Sequence, residues 1–452
     1  MPAIRKGLSS PGDRSRQARA AAGSASPSAA RTRTTTGCVS ARACTSGSGG
    51  DGANRQRLVG RSGGGAMTAL YGVPPAASKP LGDAPAPVFR QPRDTHRTGS
   101  TRRRCTSLRG AGYNPTMAEP VPDAVTVIAT VFNEIASIDR LVASLAAQSR
   151  RPDEVVIVDG GSTDGTWERL QALSRDGPLP IVAVARPGSN ISAGRNAAIA
   201  VARGPVIAAT DAGVRLAPEW LAAITAPFAH GARVVAGFFA ADPHGAFETA
   251  LGAATLPELD DVDPGTFLPS SRSVAFTRAA WADAGGYPEW LDYCEDLVFD
   301  FRVLALHGPA AFAPAALAWF RPRPSLRAFV RQYYLYARGD GKAGLWPMRH
   351  AVRYGTYGVV APCLAVAGAR LHAVAWLGLA AGLAWMLRPA YRRLARQWGP
   401  LSPVARLRSV AWVPIIRVAG DIAKMAGYPV GLAWRRRHRP PEWRPRPGAG
   451  RR

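Results

Sequence analysis

The sequence contains little lysine and little cysteine. Only 4 of its 57 basic residues are lysine, and the other 53 are arginine. The five cysteines are scattered and odd in number, so their spacing gives neither a disulfide framework nor a zinc site. The sequence also lacks zinc-finger spacing, a basic-aromatic stripe and an RNA-recognition signature. These absences argue against a nucleic-acid partner, although the net charge is +26.

The positive charge is concentrated at the two ends of the chain. Residues 1–116 hold 19 Lys and Arg against 4 Asp and Glu, and residues 386–452 hold 16 against 2. The middle of the chain holds 22 against 25 and is therefore slightly acidic. A protein that binds a polyanion through both basic ends remains an alternative, which truncation of those ends would test.

The first 116 residues are rich in Ser, Gly, Arg, Thr and Pro and poor in aromatic residues. Such a composition cannot bury enough apolar surface to offset the entropy of ordering the chain. It also lacks the continuous apolar region of a signal peptide. We expect residues 1–116 to be a disordered basic leader, or to precede a true start at Met117.

Strands and helices alternate from Val125 onward. Apolar runs predict strands, and apolar residues at spacings of three and four predict amphipathic helices between them. The predicted strands are Val125–Phe132, Glu154–Asp159, Pro180–Ala185 and Pro205–Thr210, and the predicted helices are Ser137–Gln148, Thr166–Ser174 and Ser192–Ala202. This alternation is typical of an α/β fold with a mostly parallel sheet and helices on both faces. Ligands of such sheets bind beyond the carboxyl ends of the strands.

Two apolar runs, at 356–369 and 373–387, follow the α/β region and flank a short polar turn. They predict a hydrophobic helical hairpin over 356–387, and residues 404–434 predict amphipathic interfacial helices before a basic tail, 435–452. We expect this part to bind the cell membrane, with the catalytic domain on the cytoplasmic side. A soluble, Ala-rich helical pair is the alternative.

Five segments between 125 and 340 resemble the family 2 glycosyltransferases, which have the GT-A fold. They are "ATVFNE", "VIVDGGSTDGTW", "AGRNAAI", "TDAG" and "YCEDLVFDFRV", in the order and spacing of that family. The resemblance implies a GT-A glycosyltransferase domain over 125–340 that binds a nucleotide-diphospho-sugar. The segment after the first strands is neither a Walker loop nor a dinucleotide-binding motif, so ATP and NAD are disfavoured as ligands.

The resemblance also implies which residues bind the nucleotide-sugar. They are Thr130, Phe132, Glu134, Asp159 and Arg195, with Asp211 at the sugar diphosphate. The residue types suit these roles, because an aromatic ring can stack on a base and a carboxylate can accept hydrogen bonds from ribose hydroxyls. An arginine near a helix start also favours an anion.

The "TDAG" segment carries one acid where the family's D-x-D signature has two. Asp211 occupies the first acid position and Gly213 the second. Asp211 is expected to hold Mg²⁺ or Mn²⁺, because diphosphate and water can supply most of the oxygen ligands, or to accept from a sugar hydroxyl without a metal. The resemblance makes Asp296 the general base, with Glu295 beside it at a predicted helix start.

The resemblance assigns further residues to the diphosphate and acceptor side. They are Arg331, Gln332, Arg338 and Trp290. The third residue after Gln332 is Leu335, so the Q-x-x-R-W signature of processive synthases is absent, which favours transfer of one sugar per encounter.

The sequence thus predicts transfer of a sugar, with inversion, from a nucleotide-sugar to a saccharide or lipid-linked acceptor. UDP is the favoured nucleotide. A nucleotidyltransferase is one alternative, but its Gly-rich loop with Lys or Arg after the first strand is not found in "TVFNE". A non-catalytic sugar-nucleotide-binding or scaffold protein is another, and it would keep its function after Asp296→Asn.

Overall fold

The structure is a computed structural model that describes residues 124–444. It contains one eight-stranded sheet with the strand order β3-β2-β1-β4-β7-β6-β8-β5. The strands are β1 (Val125–Val131), β2 (Glu154–Asp159), β3 (Ile181–Ala185), β4 (Val206–Ala209), β5 (Val214–Leu216), β6 (Val234–Ala241), β7 (Val274–Thr277) and β8 (Ala311–Phe320). The predicted leader and the end of the basic tail lie outside the described residues.

Twelve α-helices accompany the sheet within residues 124–444. They are α1 (Ile138–Ala146), α2 (Thr166–Asp176), α3 (Ile191–Val201), α4 (Trp220–Thr225), α5 (Ala246–Thr255), α6 (Arg278–Asp283), α7 (Glu295–His307), α8 (Leu326–Ala343), α9 (Pro347–Gly355), α10 (Ala361–Arg370), α11 (Val374–Arg396) and α12 (Pro403–His438). Short 3₁₀ segments cover Ala226–His230 and Leu259–Asp261, and a π-helical segment covers Thr356–Val360.

The first half of the sheet forms as the sequence predicts. β1 pairs in parallel with β2 on one side and with β4 on the other, and β2 pairs in parallel with β3. All six residues of β2 are buried, as expected for a parallel strand covered on both faces. The predicted strands and the helices between them are confirmed to within three residues at each end.

The second half of the sheet is mixed rather than parallel. β7 runs antiparallel to both β4 and β6, and β5 runs antiparallel to β8. The parallel β6–β8 ladder shifts register between Ala236 and Phe238, and β8 contains Pro314, which cannot donate a backbone hydrogen bond. The sheet is therefore parallel throughout the half that contains β1 to β4, whereas beyond β4 one pairing, β6–β8, is parallel and three are antiparallel.

Helices cover both faces of the sheet, as predicted. On one face α1 and α4 bury Leu141 and Trp220 against the strands. On the other face α3 and α7 bury Ile199 and Phe299, which packs edge-on against Phe276 of β7 at 5.1 Å between ring centroids. Each face thus has its own apolar core, and helices α3 and α7 come to lie on the same side of the sheet.

The long helix α12 packs along α8 through glycines. A side chain at Gly427 would meet the carbonyl oxygen of Tyr334 at 2.2 Å, and one at Gly431 would meet that of Arg338 at 2.1 Å. Only residues without a Cβ allow two helix backbones to approach so closely. Residues 404–434, predicted as interfacial helices, therefore form part of one helix of 36 residues that packs against the rest of the protein.

Helices α10 and α11 meet at a short turn, Leu371–Ala373, near the place that the sequence predicts. The turn between the two helices and the beginning of α11 are apolar and open to solvent, with Leu371 83% and Leu377 69% exposed. Further along, α11 buries Leu387 and Leu394 in a core shared with α5 and α12. Within residues 124–444, none of the helices combines the length and apolar character that crossing a membrane requires. The predicted membrane hairpin over 356–387 is therefore not supported as a spanning element.

Candidate active site

The carboxyl ends of β1, β2 and β4 meet at one edge of the sheet. Val131 of β1 is in register with Asp159 of β2, and the Gly160 amide donates to the Val131 carbonyl at 2.9 Å. The Thr210 amide donates to the Ile128 carbonyl at 3.1 Å, which carries the chain from β4 toward Asp211. The predicted nucleotide residues on these three strands are therefore brought to the same edge.

Asp159 stabilises the loop that follows β2 with one carboxylate oxygen, and its other oxygen has no hydrogen-bond partner. Its Oδ1 accepts hydrogen bonds from the amides of Gly161 at 2.7 Å and Ser162 at 2.8 Å. Gly161 has φ of 100°, a conformation that suits glycine. Asp159 is only 2% exposed, and its Oδ2 is buried with no hydrogen-bond partner. An unpartnered buried acceptor of this kind fits a donor group from a ligand.

Of the three residues predicted at the end of β1 and just after it, one faces solvent and two make structural contacts. Phe132 is 62% exposed beside Gly160, so its ring is free to stack on a base. Glu134 instead accepts from the Ser137 hydroxyl at the start of α1. Thr130 lies under Gly194, where a Cβ would come within 2.9 Å of its Cγ2. These contacts tie the Glu134 side chain to the residue before α1 and give Thr130 a packing role, beside the ligand roles predicted for them.

Arg195 links the two acidic segments of the site. Its Nη2 lies 3.1 Å from Asp211 Oδ1 and its Nη1 lies 2.8 Å from Glu295 Oε1. The guanidinium is also 5.4 Å from the ring centre of Tyr287, and the residue is 3% exposed. Burial lowers the pKa of Arg195, but the charges of Asp211 and Glu295 outweigh burial and raise it. Arg195 therefore stays charged and holds the end of β4 against the start of α7.

Arg272 is a second cation at Asp211 that sequence analysis missed. Its Nε lies 3.8 Å from Asp211 Oδ2, and its guanidinium stacks 4.2 Å from the ring centre of Phe320. Tyr336 of α8 is a further neighbour that interacts with the guanidinium. Burial lowers the pKa of Arg272, and the Tyr336 and Asp211 charges more than compensate. The available signal was that Arg272 is the one charged residue between Phe267 and Phe276.

Three carboxyl groups cluster on the first turns of α7. Glu295 and Asp296 open the helix, and Asp300 follows one turn later with its Oδ2 buried and unpartnered. Burial and the charge of Asp296 raise the pKa of Glu295 to about 7, in spite of the Arg195 ion pair. Burial also raises the pKa of Asp300 well above its ordinary value. Asp296 is only half-buried, and its Oδ1 accepts from the Leu297 amide at 2.9 Å.

The start of α3 holds the loop that leads into α7. The Asn196 amide nitrogen donates to the Tyr287 carbonyl at 2.9 Å, and its oxygen accepts from the Tyr287 amide at 2.9 Å. Asn190 caps α3 and donates to the Glu289 carbonyl at 2.6 Å. The "AGRN" segment therefore contributes Asn196 as a positioning residue, a role that the sequence had not indicated.

The residues predicted on the diphosphate and acceptor side separate into different surroundings. Arg331 is exposed, and Gln332 donates to the Tyr336 hydroxyl at 2.8 Å. Arg338 pairs with Asp292 at 3.4 Å. Trp290 stacks on Trp434 of α12, with 6.2 Å between ring centroids. Of these four, Gln332 is linked to Asp211 by a chain of contacts through Tyr336 and Arg272.

The donor set at Asp211 does not fit a divalent cation held by the protein. Both carboxylate oxygens face guanidinium groups, Oδ1 that of Arg195 and Oδ2 that of Arg272. Gly213 supplies no side-chain ligand, and no cluster of three His, Cys, Asp or Glu suited to a metal occurs within residues 124–444. Mg²⁺ and Mn²⁺ prefer several oxygen ligands, and two arginines oppose a third positive charge.

Known proteins resemble this chain over part of its length. Residues 126–263 match the family model Glycosyl transferase family 2. Validoxylamine A glucosyltransferase of Streptomyces hygroscopicus subsp. limoneus is 30% identical over 118 residues, which is 24% of this chain and 26% of that protein. Undecaprenyl-phosphate 4-deoxy-4-formamido-L-arabinose transferase of Pseudomonas paraeruginosa (strain DSM 24068 / PA7) is 34% identical over 125 residues, 26% of this chain and 36% of the relative. The chain thus spans between a quarter and two fifths of the curated relatives it matches.

Two solved structures also resemble the chain. Mannosyltransferase PcManGT from Pyrobaculum calidifontis, in complex with GDP-Man and Mn²⁺, is 20% identical with a TM-score of 0.41, covering 72% of this chain and 91% of that one. S. aureus TarS 1–349 is 19% identical with a TM-score of 0.36, covering 66% and 90%. The family-model match and the curated relatives together indicate a family 2 glycosyltransferase domain in the part of the chain that the model matches, residues 126–263.

Proposed function

We propose that the protein is an inverting glycosyltransferase that moves one sugar from a nucleotide-diphospho-sugar to a hydroxyl of a saccharide or lipid-linked acceptor. The observation that carries the proposal is the convergence of Asp211 and Glu295 on the single guanidinium of Arg195, at 3.1 and 2.8 Å. This contact brings the end of β4, a position for donor binding, beside Asp296, a candidate base. The family 2 domain supports the same reaction class.

The nucleotide would bind over the ends of β1 and β2. Phe132 offers an exposed ring for a base, and Asp159 Oδ2 offers an acceptor for an N–H group on the edge of that base. UDP remains the favoured nucleotide, and the N–H group of uracil is one donor that would suit this acceptor. Movement of the loop after Asp159 would open that acceptor to the ligand, since the residue is 2% exposed.

Asp296 would act as the general base. Glu295 takes the salt bridge to Arg195 and leaves the half-buried Asp296 to accept a proton from the acceptor hydroxyl. That oxygen then attacks the anomeric carbon as the bond to the nucleoside diphosphate breaks on the opposite face, which inverts the configuration. Family-model similarity ends at residue 263, so this assignment rests on the structure and on the resemblance of the "YCEDLVFDFRV" segment.

A membrane surface is the proposed location of the reaction, with the catalytic domain on the cytoplasmic side. The exposed apolar residues at the α10–α11 turn support this location. Arg370 at the end of α10 and the basic residues that end α12 add positive charge. An apolar surface next to cations is typical of an interfacial element that dips into one leaflet. Flotation with anionic vesicles tests this location, and L371Q/L377Q should lower the bound fraction while L259Q, on an exposed leucine outside the α10–α11 pair, should not.

Transfer assays test the reaction itself. Purified protein with anionic vesicles would be given UDP- and GDP-sugars and candidate acceptors, with and without EDTA, and nucleoside diphosphate release would be measured. Asp296→Asn should lower kcat by about 10²–10⁴-fold with little change in the donor KM. Asp292→Asn is the matched control, because it removes a carboxylate four residues earlier that pairs with Lys342 at 2.9 Å.

Each alternative function has its own result in these assays. A scaffold protein would bind nucleotide-sugar and lose nothing on Asp296→Asn. A nucleotidyltransferase would release pyrophosphate from a nucleoside triphosphate. The EDTA arm tests the expectation of Mg²⁺ or Mn²⁺ that the sequence raised, and no step proposed here runs through a cation.

A further inference from the structure

Asp211 lies between two arginines at the position where the family signature has its first acid. We propose that Arg272 binds the donor diphosphate directly and supplies the positive charge that a carboxylate-held cation would otherwise supply, while Arg195 holds Asp211 in place. This inference rests on the proposed function, since it concerns the diphosphate of the same donor. It is specific to a chain in which the second acid position is Gly213.

The two arginines differ in how many of their N–H groups already bind protein acceptors. Arg195 has a side chain only 4% exposed, and both of its Nη atoms are committed to carboxylates at 2.8 and 3.1 Å. Arg272 has a side chain 26% exposed, and its distance of 3.8 Å to Asp211 is longer than a hydrogen bond. Arg272 does make a long hydrogen bond from Nη1 to the Ser270 hydroxyl, at 3.4 Å, and a hydrogen bond with Tyr336. A guanidinium has five N–H donors, so some remain for the oxygens of a ligand.

The surroundings of Arg272 hold its guanidinium in one orientation. Phe320 at the end of β8 lies under its plane at 4.2 Å, and Tyr336 contributes from α8. A fixed, planar fork of N–H donors matches two phosphate oxygens and loses little entropy on binding. The charge of Asp296, the candidate base, also raises the pKa of Arg272.

The second acid position can be used to test the idea. A Cβ at Gly213 would meet nothing within 4 Å, so Asp fits there without displacing a neighbour. Gly213→Asp restores the two-acid signature and adds an oxygen ligand for a cation. In an Arg272→Ala background, two carboxylates would then stand where one carboxylate and one guanidinium stood. That double variant should gain a dependence on Mn²⁺ that the wild type lacks.

Calorimetric titration of the full-length protein with UDP and GDP, in EDTA and in Mn²⁺, measures the effect. We expect the better-binding nucleotide to bind wild-type protein with affinities in EDTA and Mn²⁺ that agree within about threefold. Arg272→Ala should weaken binding about tenfold or more in both conditions, as expected for loss of a charge-assisted hydrogen bond. Arg272→Lys should recover part of the loss, because the charge returns without the fork. G213D/R272A should regain affinity in Mn²⁺ only.

Arg215→Ala is the matched control. Arg215 also stacks on an aromatic ring, Trp319 at 4.1 Å, and also lies 3.8 Å from a carboxylate, that of Asp242. Its removal should leave nucleotide binding unchanged, and circular dichroism confirms that each variant is folded. Wild-type binding that disappears in EDTA, Arg272→Ala that binds as tightly as wild type, or no binding of either nucleotide would each overturn the inference. Binding through Arg272 without sugar transfer would instead contradict the proposed function alone.

Discussion

Replacing Glu295 by Gln should change how stability depends on pH. Glu295 is 6% exposed, next to Asp296 and bonded to Arg195 at 2.8 Å. Gln keeps an oxygen that can accept from Arg195 but cannot ionise. The substitution therefore removes one titration from the cluster while it keeps the shape and one hydrogen bond of the native side chain.

The magnitude follows from the raised pKa. Glu295 has a pKa of about 7 in the folded protein, where burial and Asp296 oppose its charge, against an ordinary value of 4.5. Between these values the folded protein retains a proton that the unfolded chain releases, so a rise in pH favours unfolding. The contribution of the retained proton to the free energy of unfolding is fully present below pH 4.5. It changes by about 1.4 kcal/mol per pH unit, so about 3 kcal/mol of it is lost by pH 7.

Denaturant unfolding at several pH values measures the difference between the two proteins. Relative to wild type, Glu295→Gln should gain about 3 kcal/mol in free energy of unfolding as the pH rises from about 4.5 to above 7. Asp139→Asn, which removes an exposed carboxylate from α1, is the control and should show a nearly constant difference. A flat difference for Glu295→Gln, or one that falls with pH, would refute the view that burial and Asp296 outweigh Arg195 at this position.

Three further predictions concern packing, positioning and reactivity. Gly427→Val should lower the free energy of unfolding by about 1–3 kcal/mol or more in thermal melts, because a Cβ there lies 2.2 Å from a backbone oxygen of Tyr334. Asn196→Ala should lower it by about 1–3 kcal/mol, since buried amide partners are left unpaired, and should lower kcat in the transfer assay. Under thiol labelling followed by mass spectrometry, exposed Cys363 should react well before Cys294, which is buried and whose pKa is raised by burial.

The sequence predicted the first half of the fold because its physical signal there is local. Continuous apolar runs such as Glu154–Asp159 are buried on both faces, and the helices between them show a clear apolar stripe. The second half lacks that signal. β5 has three residues with Arg215 exposed at its centre. β8 contains a proline, and a register shift interrupts its ladder with β6. Strand direction in that half depends on partners far along the chain, which no local pattern records.

Apolar helices near the C-terminus show a different ambiguity. Hydropathy does not distinguish a helix that faces lipid from one that packs on protein. Val413 and Ile416 of α12 are fully buried in a core with α5 and α8, and glycines at the α8–α12 crossing allow the close approach. The apolar residues near Leu371 are exposed instead. Apolar segments of similar composition are thus buried in one place and exposed in another, and only the three-dimensional contacts distinguish the two.

Motif positions located the site, but motif identity did not define the charges within it. The resemblance indicated Asp211 and Asp296, yet it gave no sign that Arg195 joins the two acidic segments across 100 residues of sequence. Arg272, 61 residues beyond Asp211, lies outside the five segments that carried the resemblance to the family. A motif of acidic residues predicts the positions of carboxylates but does not predict which groups neutralise their charge. Whether Asp211 serves a cation or an arginine is therefore decided by its spatial neighbours, and here both neighbours are already positive.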